Sequence, residues 1–237
     1  MEAPDGKAGR VGNRAAGEEM IDVHALTVGP VQENCYIVRA AADGADAVLV
    51  DPGDEADRIE RALAELGITQ VDAILLTHTH FDHVGAVAEM HRRTGAPVYC
   101  PELEVELLSN INELMATRFP GLGSFENYDA DETVGGGEQL DLAGLVFDVR
   151  FTPGHSVGHV TYSVRGENAL LSGDVLFRDS VGRVDLPGGD WLTLQRSIET
   201  LLDEFPPETV VYPGHMGVTS LGREREHNPF LRELAAK

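Results

Sequence analysis

The sequence predicts an α/β protein, because short runs of strand length alternate along the chain with amphipathic stretches of helix length. The strand-like runs are rich in apolar and β-branched residues and cover residues 33–40, 47–53, 72–78, 145–151, 160–166, 168–174 and 209–215. A hydrophobic share of 42% suits a packed core. No low-complexity linker separates these elements, so we expect one domain over residues 20–237. Residues 1–19 combine alanine, glycine and charge without periodicity, and we expect a flexible tail there.

Three stretches carry helix signals. The stretch 55–67 has three apolar residues on one helical face and stops at Gly67. The stretch 190–205 begins with Asp190, which predicts an N-cap. We expect a further helix from about 84 to 94.

The segment 101–138 differs from the rest of the chain. A helical piece over 101–119 precedes a glycine-rich stretch over 120–138. Such a segment is either a lid or binding loop over a site or an ordinary surface excursion, and the sequence leaves both open.

The charge and the cysteines narrow the class of protein. A formal net charge of -22 would repel phosphate backbones and anionic lipid surfaces, so neither a nucleic acid nor a membrane is an expected partner. Cys35 and Cys100 both lie in apolar runs, which predicts buried free thiols and favours a reducing, cytoplasmic location. We expect a soluble protein, because the chain has neither an apolar signal core nor a run of about 18 apolar residues.

The stretch "LLTHTHFDHVG" places four metal-binding side chains directly after a predicted strand. Alternate residues of an extended segment share a side, so His78 and His80 are expected to point the same way. Asp82 and His83 follow where the chain turns into a helix, and they offer an oxygen and a nitrogen ligand. This string predicts a metal site with room for a second ion.

Three more candidates stand in the same position relative to a strand. His155 in "FTPGH", Asp174 in "LLSGD" and His215 in "VYPGH" each follow an apolar strand and a glycine, where the backbone can bend sharply at the rim of a sheet. One histidine at a strand end is more often an ordinary polar residue than a ligand. Five of the nine histidines lie in this context, however, and together with the two aspartates they favour a metal site with seven ligands.

These motifs resemble the metallo-β-lactamase superfamily of hydrolases. The sequences "VDPG", "THTHFDHVG", "TPGHSVGH", "SGDVLF" and "YPGH" occur in the order typical of that family, over residues 34 to 231. The resemblance implies an αββα sandwich of two mixed β-sheets flanked by helices, with the metals at one edge of the sheets. It also implies that the first metal is bound by His78, His80 and His155, the second by Asp82, His83 and His215, and that Asp174 bridges them.

Two further residues are candidates to support these ligands. The resemblance implies that Asp51 orients the ligand loop, although an aspartate before Pro52 is also typical of a turn. His159 lies four residues past His155 and is a candidate for the same supporting role.

Nitrogen and carboxylate ligands without a thiolate favour two zinc ions, and the set would also accept iron or manganese. Two cations close together lower the pKa of a shared water, and the resulting hydroxide is the expected nucleophile for a carbonyl carbon. Asp82 and Asp174 are the expected catalytic carboxylates.

The lactam-cleaving branch of the family typically has a cysteine where this chain has Asp174. A thioester is an easier substrate than an amide, because a thiolate leaves without protonation.

The stretches "GDVLFRDSVGRVDLPGGD" and "PGHMGVTSLGREREHNPFL" are similar to small enzymes related to glyoxalase II, the hydroxyacylglutathione hydrolase. This similarity implies hydrolysis of a small-molecule hydroxyacyl thioester. Only 22 residues follow His215, too few for the helical extension that binds glutathione in full-length glyoxalase II, so the thiol carrier stays open.

Arg183 is a candidate to contact a carboxylate of the carrier, or else it belongs to a local ion pair. Phe81 and Tyr212 are weaker candidates to line the cleft, because aromatic residues at strand ends usually pack in the core.

Two other functions remain open at this point. The first is a persulfide dioxygenase on the same fold with one iron, for which His78, His155 and Asp174 would serve as ligands. The second is a non-catalytic metal-binding scaffold, against which the complete ligand set argues. The sequence predicts neither the oligomeric state nor the role of residues 101–138.

Overall fold

The computed structural model of the protein describes residues 21–118, 121 and 124–235, and in it two six-stranded mixed sheets face each other. The tail predicted over residues 1–19 lies outside the described residues. The strands of the first sheet follow in chain order as Asp22–Val28 (β1), Glu33–Arg39 (β2), Asp46–Val50 (β3), Gln70–Leu75 (β4), Val98–Pro101 (β5) and Glu132–Val134 (β6). Strands β1 to β3 pair antiparallel, and β3 to β6 pair parallel.

Parallel strands need crossover connections, and helices supply them in the first sheet. They are Ala56–Glu65 (α1) between β3 and β4, Phe81–Val84 (α2) and Val87–Thr94 (α3) between β4 and β5, and Val105–Ser109 (α4) and Ile111–Arg118 (α5) between β5 and β6. Each of these connections leaves from the carboxyl end of a strand, and the one after β4 begins with the histidine string.

The second half of the chain builds the second sheet. Its strands and a small hairpin are Gln139–Leu142 (β7), Leu145–Phe151 (β8), Val160–Val164 (β9), Ala169–Gly173 (β10), Leu176–Phe177 (β11), Ser180–Val181 (β12), Val210–Pro213 (β13) and Thr219–Ser220 (β14). The sheet order is β14-β13-β10-β9-β8-β7, while β11 and β12 form the hairpin. Only β10 and β13 pair parallel, so their carboxyl ends meet at one edge. The helices of this half are Trp191–Glu204 (α6), Leu221–His227 (α7) and Pro229–Ala235 (α8).

Side chains that follow one another along a strand pack alternately between the two sheets and under the outer helices. Val48 and Val50 of β3 pack against the second sheet, whereas Leu49 packs against the helices of the first half. In β10, Leu171 faces the first sheet and Leu170 packs on the side of α6. Successive strand residues point to opposite faces, so one core lies between the sheets and one lies under each layer of helices. This αββα sandwich confirms the predicted fold.

The predicted helix over 84–94 differs from the structure, because the chain breaks between α2 and α3. At Gly85 a side chain would lie 2.3 Å from the carbonyl oxygen of Gly53, so the backbone passes close to the loop after β3. The amide of Ala86 then donates a hydrogen bond to the carbonyl of Pro52 at 3.0 Å. This tertiary contact takes precedence over continuation of the helix.

The segment 101–138 also has more structure than the sequence indicates. Its helical part is a 3₁₀ turn over Glu102–Glu104 followed by α4 and α5, and its glycine-rich part contains the edge strand β6. Seven strands were not predicted, because they are short or carry polar residues on an outer face: β1, β5, β6, β7, β11, β12 and β14.

Cys35 and Cys100 are free and buried, as predicted. Among the described residues, no helix has both the length and the apolar character that crossing a bilayer requires.

Replacing Asp190 with alanine should lower the free energy of unfolding by about 1 kcal/mol. The Asp190 carboxylate caps α6 by accepting hydrogen bonds from the amide and hydroxyl of Thr193 at 2.8 and 2.6 Å. Urea unfolding followed by circular dichroism measures the change. Asp203→Ala, in the last turn of the same helix, is the control and should change the value by no more than about 0.5 kcal/mol. Equal losses in the two variants would rule out the capping role.

Candidate metal centre

Three histidine rings converge where the two sheets meet. His78 and His80 come from the loop after β4, and His155 comes from the loop between β8 and β9. The Nδ1 atom of His80 lies 3.0 Å from Nε2 of His78 and 2.8 Å from Nε2 of His155. The structure thus brings together these three predicted ligands, and we call them the three-histidine group.

A second group lies beside the first and contains an aspartate. The Oδ2 atom of Asp82 lies 3.2 Å from Nε2 of His215 and 3.8 Å from Nε2 of His83. Asp82 and His83 belong to α2, while His215 follows β13 of the other sheet. These ligand atoms all lie within 4.8 Å of one another. We call Asp82, His83 and His215 the aspartate group.

Asp174 lies between the two groups. Its Oδ2 atom lies 3.4 Å from Nε2 of His155 and 3.6 Å from Nε2 of His215, and its Oδ1 atom lies 3.5 Å from Nε2 of His83. This carboxylate therefore contacts both groups, which is the position that a bridging ligand requires.

Glycines next to the ligands leave the space that this convergence needs. A side chain on Gly214 would lie 2.2 Å from Oδ1 of Asp174, and one on Gly173 would lie 2.4 Å from the hydroxyl of Thr77. Gly173 also has a φ of 48°, which favours glycine, whereas Gly214 needs only the absence of a side chain. The predicted role of these glycines in bending the chain thus applies to Gly173, and close packing explains Gly214.

Hydrogen bonds on the far side of the rings fix their orientation. The Nδ1 atom of His155 donates to the carbonyl of Arg183 at 2.8 Å, and that of His215 donates to the carbonyl of Gln32 at 3.3 Å. In a neutral ring a proton on Nδ1 leaves Nε2 without one, and in both rings Nε2 is the atom directed at Asp174. Neutral imidazole with a bare Nε2 is the form that binds metals.

Asp51 supports the loop that carries the ligands. Its carboxylate accepts hydrogen bonds from the amide and hydroxyl of Thr77 at 2.8 and 2.6 Å and lies 3.0 Å from Nδ1 of His83. Asp51 is almost fully buried and adopts a φ of 48°, a left-handed conformation that aspartate and asparagine tolerate better than most residues. These contacts support the role implied for Asp51, which stays a prediction.

His159 contacts the bridging aspartate through the backbone. Its Nε2 atom accepts a hydrogen bond from the amide of Asp174 at 3.0 Å, and its ring stacks on that of His78. The ring is fully buried. It thus holds Asp174 in place without being one of the seven ligands.

The two groups differ in charge. Burial lowers the pKa of His78 well below its usual value, and burial together with His155 lowers the pKa of His80 to about 3. Burial also opposes protonation of His83, but the carboxylates of Asp174 and Asp82 raise its pKa well above the usual value. His78 and His80 therefore offer neutral nitrogens, while the carboxylates around His83 attract positive charge. A cation that binds His83 would displace a proton.

The residues present fit two divalent cations. The Nε2 atom of His83 and the Oδ1 atom of Asp174 are buried and have no hydrogen-bond partner among the described residues. Such groups are costly to bury unless a partner satisfies them, and a cation would satisfy both. Nitrogen ligands about 2.0–2.1 Å from a tetrahedral zinc ion are ~3.3 Å apart, close to the spacings in the three-histidine group. Metal binding by the seven residues stays a prediction that this geometry supports.

The three residues predicted to contact the substrate, Phe81, Tyr212 and Arg183, lie in different surroundings. Phe81 packs edge to face on Phe125 of the segment 101–138, with 5.9 Å between ring centroids. Both rings line a cleft of about 180 Å³ that also includes Asp82, Pro30 and Ser124.

Tyr212 lies in the core between the sheets, with its ring against that of Tyr36 at 5.6 Å between centroids. Burial raises the pKa of Tyr212 to about 12. This position corrects the expectation that Tyr212 lines the cleft. Packing between the two sheets, against residues such as Tyr36, accounts for its burial.

The Arg183 side chain is exposed and pairs with exposed Asp185 at 2.7 Å. The local ion pair that the sequence left open is therefore present. The carbonyl of Arg183 contacts His155, which places this residue at the rim of the three-histidine group.

Several residues near the ligands were not predicted. The Nδ2 atom of Asn34 donates to the carbonyls of Pro213 and Met216, and the Tyr36 hydroxyl donates to the carbonyl of Pro213 at 2.7 Å. These contacts hold the His215 loop from the opposite sheet. Glu33 lies fully buried, 3.8 Å from Nδ1 of His83, and burial raises the pKa of its carboxyl well above the usual value. A carboxyl group inside the apolar run "ENCYIV" is the signal that could have identified it.

The fold and the paired ligand groups define a metal-dependent hydrolase scaffold. A family model described as "Metallo-beta-lactamase superfamily" matches residues 28–215. The chain therefore belongs to the metallo-β-lactamase superfamily, whose members are generally hydrolytic enzymes.

Among the curated relatives that match this chain over almost their whole length are two whose names describe an activity. A probable metallo-hydrolase of Bacillus subtilis, YqgX, is 36% identical over 87% of this chain and 95% of the relative. The hydroxyacylglutathione hydrolase GloC of Haemophilus influenzae is 32% identical over 89% of this chain and 98% of the relative.

Two solved structures are similar to this chain. The B3 metallo-β-lactamase BLEG-1 is 38% identical with a TM-score of 0.81, and 88% of this chain matches 99% of that one. The protein TTHA1623 in a di-iron-bound form is 41% identical with a TM-score of 0.76, and 87% of this chain matches 99% of that one.

Replacing Asp51 with asparagine should weaken metal binding by about 10- to 100-fold, as is typical when a partner of a ligating histidine is changed. Asparagine tolerates the same backbone conformation but offers one acceptor oxygen to three donors. Competition with a chromophoric chelator measures the affinity for zinc. Asp54→Asn, at an exposed position three residues on, is the control and should bind zinc as the unchanged protein does. If Asp51→Asn binds zinc as tightly as Asp54→Asn does, the supporting role of Asp51 is excluded.

Proposed function

We propose that the chain is a metal-dependent thioesterase that hydrolyses a hydroxyacyl thioester of a low-molecular-weight thiol. The observation that carries this proposal is the convergence of two three-ligand groups on Asp174, beside a cleft lined by Phe81 and Phe125. The relative named as a hydroxyacylglutathione hydrolase supports the choice of substrate, because it matches this chain along nearly its full length.

The proposed cofactors are two divalent metal ions, with zinc as the first choice. The three-histidine group would hold one ion, the aspartate group would hold the other, and Asp174 would contact both. Two bound cations would supply an ionised water near neutral pH and stabilise the negative charge that develops on the carbonyl oxygen. The di-iron form of TTHA1623 keeps iron as an alternative metal to be tested.

The chain's own residues prepare the site for this chemistry. Backbone carbonyls accept the Nδ1 protons of His155 and His215, so each ring turns its Nε2 atom toward Asp174, where it can bind a cation. Burial opposes ionisation of Asp174, but His83 and its neighbouring histidines hold the pKa of that carboxyl below its ordinary range. Asp174 thus stays a carboxylate throughout the neutral range, which a bridging role requires.

The leaving group distinguishes a thioester from a lactam. A thiol has a pKa of about 8.5, so its anion departs near neutral pH without a proton donor. An amide nitrogen must be protonated as it leaves, so a lactam substrate would require a proton donor near the cleft. This difference supports thioester hydrolysis, even though BLEG-1 is a lactamase of similar fold and sequence.

Metal-analysed protein assayed with thioesters of several thiol carriers tests the proposal. We expect two metal ions per chain, loss of thioester absorbance, and loss of activity when a chelator removes the metal. Opening of a β-lactam without thioester hydrolysis would favour a lactamase. A single iron with oxygen uptake on glutathione persulfide would favour the dioxygenase.

Asp174→Ala should lower thioester hydrolysis by at least ~100-fold, because the variant loses a major electrostatic contribution to the site. Steady-state rates on metal-loaded protein measure the effect. Asp203→Ala, on the far helix α6, should retain the full rate. An Asp174 variant with near-normal turnover would contradict the bridging role.

Arg183→Gln should raise the KM for a thioester with an anionic carrier by roughly two- to fivefold, as expected for loss of an exposed charge contact. The KM for a thioester of an uncharged thiol should not change. Asp185→Asn is the matched control, because it releases Arg183 from its ion pair and should not raise either KM. Equal effects of Arg183→Gln on both carriers would argue against contact with a carboxylate.

A further inference from the structure

The carboxyl group of Glu104 lies buried between the two loops that carry the three-histidine group. Its Oε2 atom accepts hydrogen bonds from the amide and hydroxyl of Thr79 at 2.6 and 2.9 Å. Its Oε1 atom accepts from the amide of Gly158 at 2.9 Å and from the hydroxyl of Ser156. Four donors thus converge on one fully buried side chain.

The donors belong to the ligand loops themselves. Thr79 stands between His78 and His80 in the loop after β4, and Ser156 follows His155 in the loop between β8 and β9. These loops leave different sheets, and a backbone hydrogen bond between their bases, from the amide of Val160 to the carbonyl of Thr77 at 2.9 Å, leaves the segments around His80 and His155 to be positioned by side chains. Glu104, from the 3₁₀ turn after β5, contacts both and can fix their separation.

Acceptor capacity makes a carboxyl group the side chain that fits this position. Each of the two oxygens accepts from one amide and one hydroxyl, and hydrogen bonds to a charged oxygen are roughly twice as strong as neutral ones. Glutamine has the same shape but one acceptor oxygen, and its amino group would face two donors. A single-atom change therefore removes the contacts to one loop and preserves the volume.

We infer that Glu104 is a positioning residue that sets the distance of 2.8 Å between Nδ1 of His80 and Nε2 of His155. It does so by joining the two loops through its hydrogen bonds with Thr79, Ser156 and Gly158. The inference rests on the proposed metal site. The hydrogen bonds of Glu104 all go to residues next to the histidines and none to a ligand atom of the described residues, so it acts through the loops on either side.

Cobalt titration of the metal-free protein tests this role, with the absorption spectrum of bound Co²⁺ as a report on ligand geometry. The binding step that disappears in His155→Ala identifies the three-histidine group. Glu104→Gln should weaken that step by about 10- to 100-fold and change its spectrum, as for other residues that orient ligands. The step that belongs to the aspartate group should keep its affinity. Glu106→Gln, exposed two residues on, is the matched control and should leave both steps unchanged.

A purely structural role predicts a different pattern. A lower melting temperature with both binding steps unchanged, or weakened equally, would overturn the inference. Ser156→Ala provides a second test if Glu104→Gln does not fold, because it removes one of the four hydrogen bonds. It should weaken the three-histidine step alone by about 2- to 10-fold, and an unchanged step would overturn the inference.

The same titration separates this inference from the proposed function. If the unsubstituted protein binds two Co²⁺ ions and Glu104→Gln binds them identically, only the role of Glu104 fails. If the unsubstituted protein binds no Co²⁺, the proposed metal site fails and the inference fails with it.

Discussion

The convergence of three imidazoles on the Asp174 carboxylate is the constraint on which the rest of the site depends. His83 comes from helix α2 and His155 and His215 from two different loops, and their Nε2 atoms lie 3.4–3.6 Å from the carboxylate oxygens of Asp174. Polar groups buried this closely are costly unless each finds a partner. The surrounding hydrogen bonds satisfy the outer ring nitrogens, while the inner atoms of His83 and Asp174 have none among the described residues. The arrangement is therefore organised around positive charge at its centre.

Backbone hydrogen bonds join the two sheets at the edge where the ligands lie, and this brings the ligand loops together. The amide of Val160 donates to the carbonyl of Thr77 at 2.9 Å, and the amide of Asn34 donates to the carbonyl of Gly214 at 2.8 Å. Elsewhere an apolar core separates the two sheets, and side chains alone set their distance. At the ligand edge, backbone hydrogen bonds fix the loops with the directional precision that a metal site needs.

Local signals in the sequence were sufficient to locate the seven ligand candidates. Each of them follows an apolar run, several behind a glycine, and strand ends at a common edge bring such residues together. The supporting residues were harder to identify. Glu104 lies in a stretch that reads as an ordinary helix, and its partners stand 25 to 54 residues away. Short strands such as β6 owe their existence to pairing with a neighbour, and the break at Gly85 results from contact with Gly53. Propensity and periodicity describe neighbours in sequence, and these features depend on neighbours in space.

The order of the ligands along the chain has a consequence for biosynthesis. Five of the seven lie at or before residue 155, the sixth is at 174 and the last is at 215. The three-histidine group is thus fully synthesised before Asp174 and His215. The loop that carries His215 is held by Asn34 and Tyr36, which are synthesised early. Residues from the start and the end of the chain therefore meet at the last of the seven ligand positions.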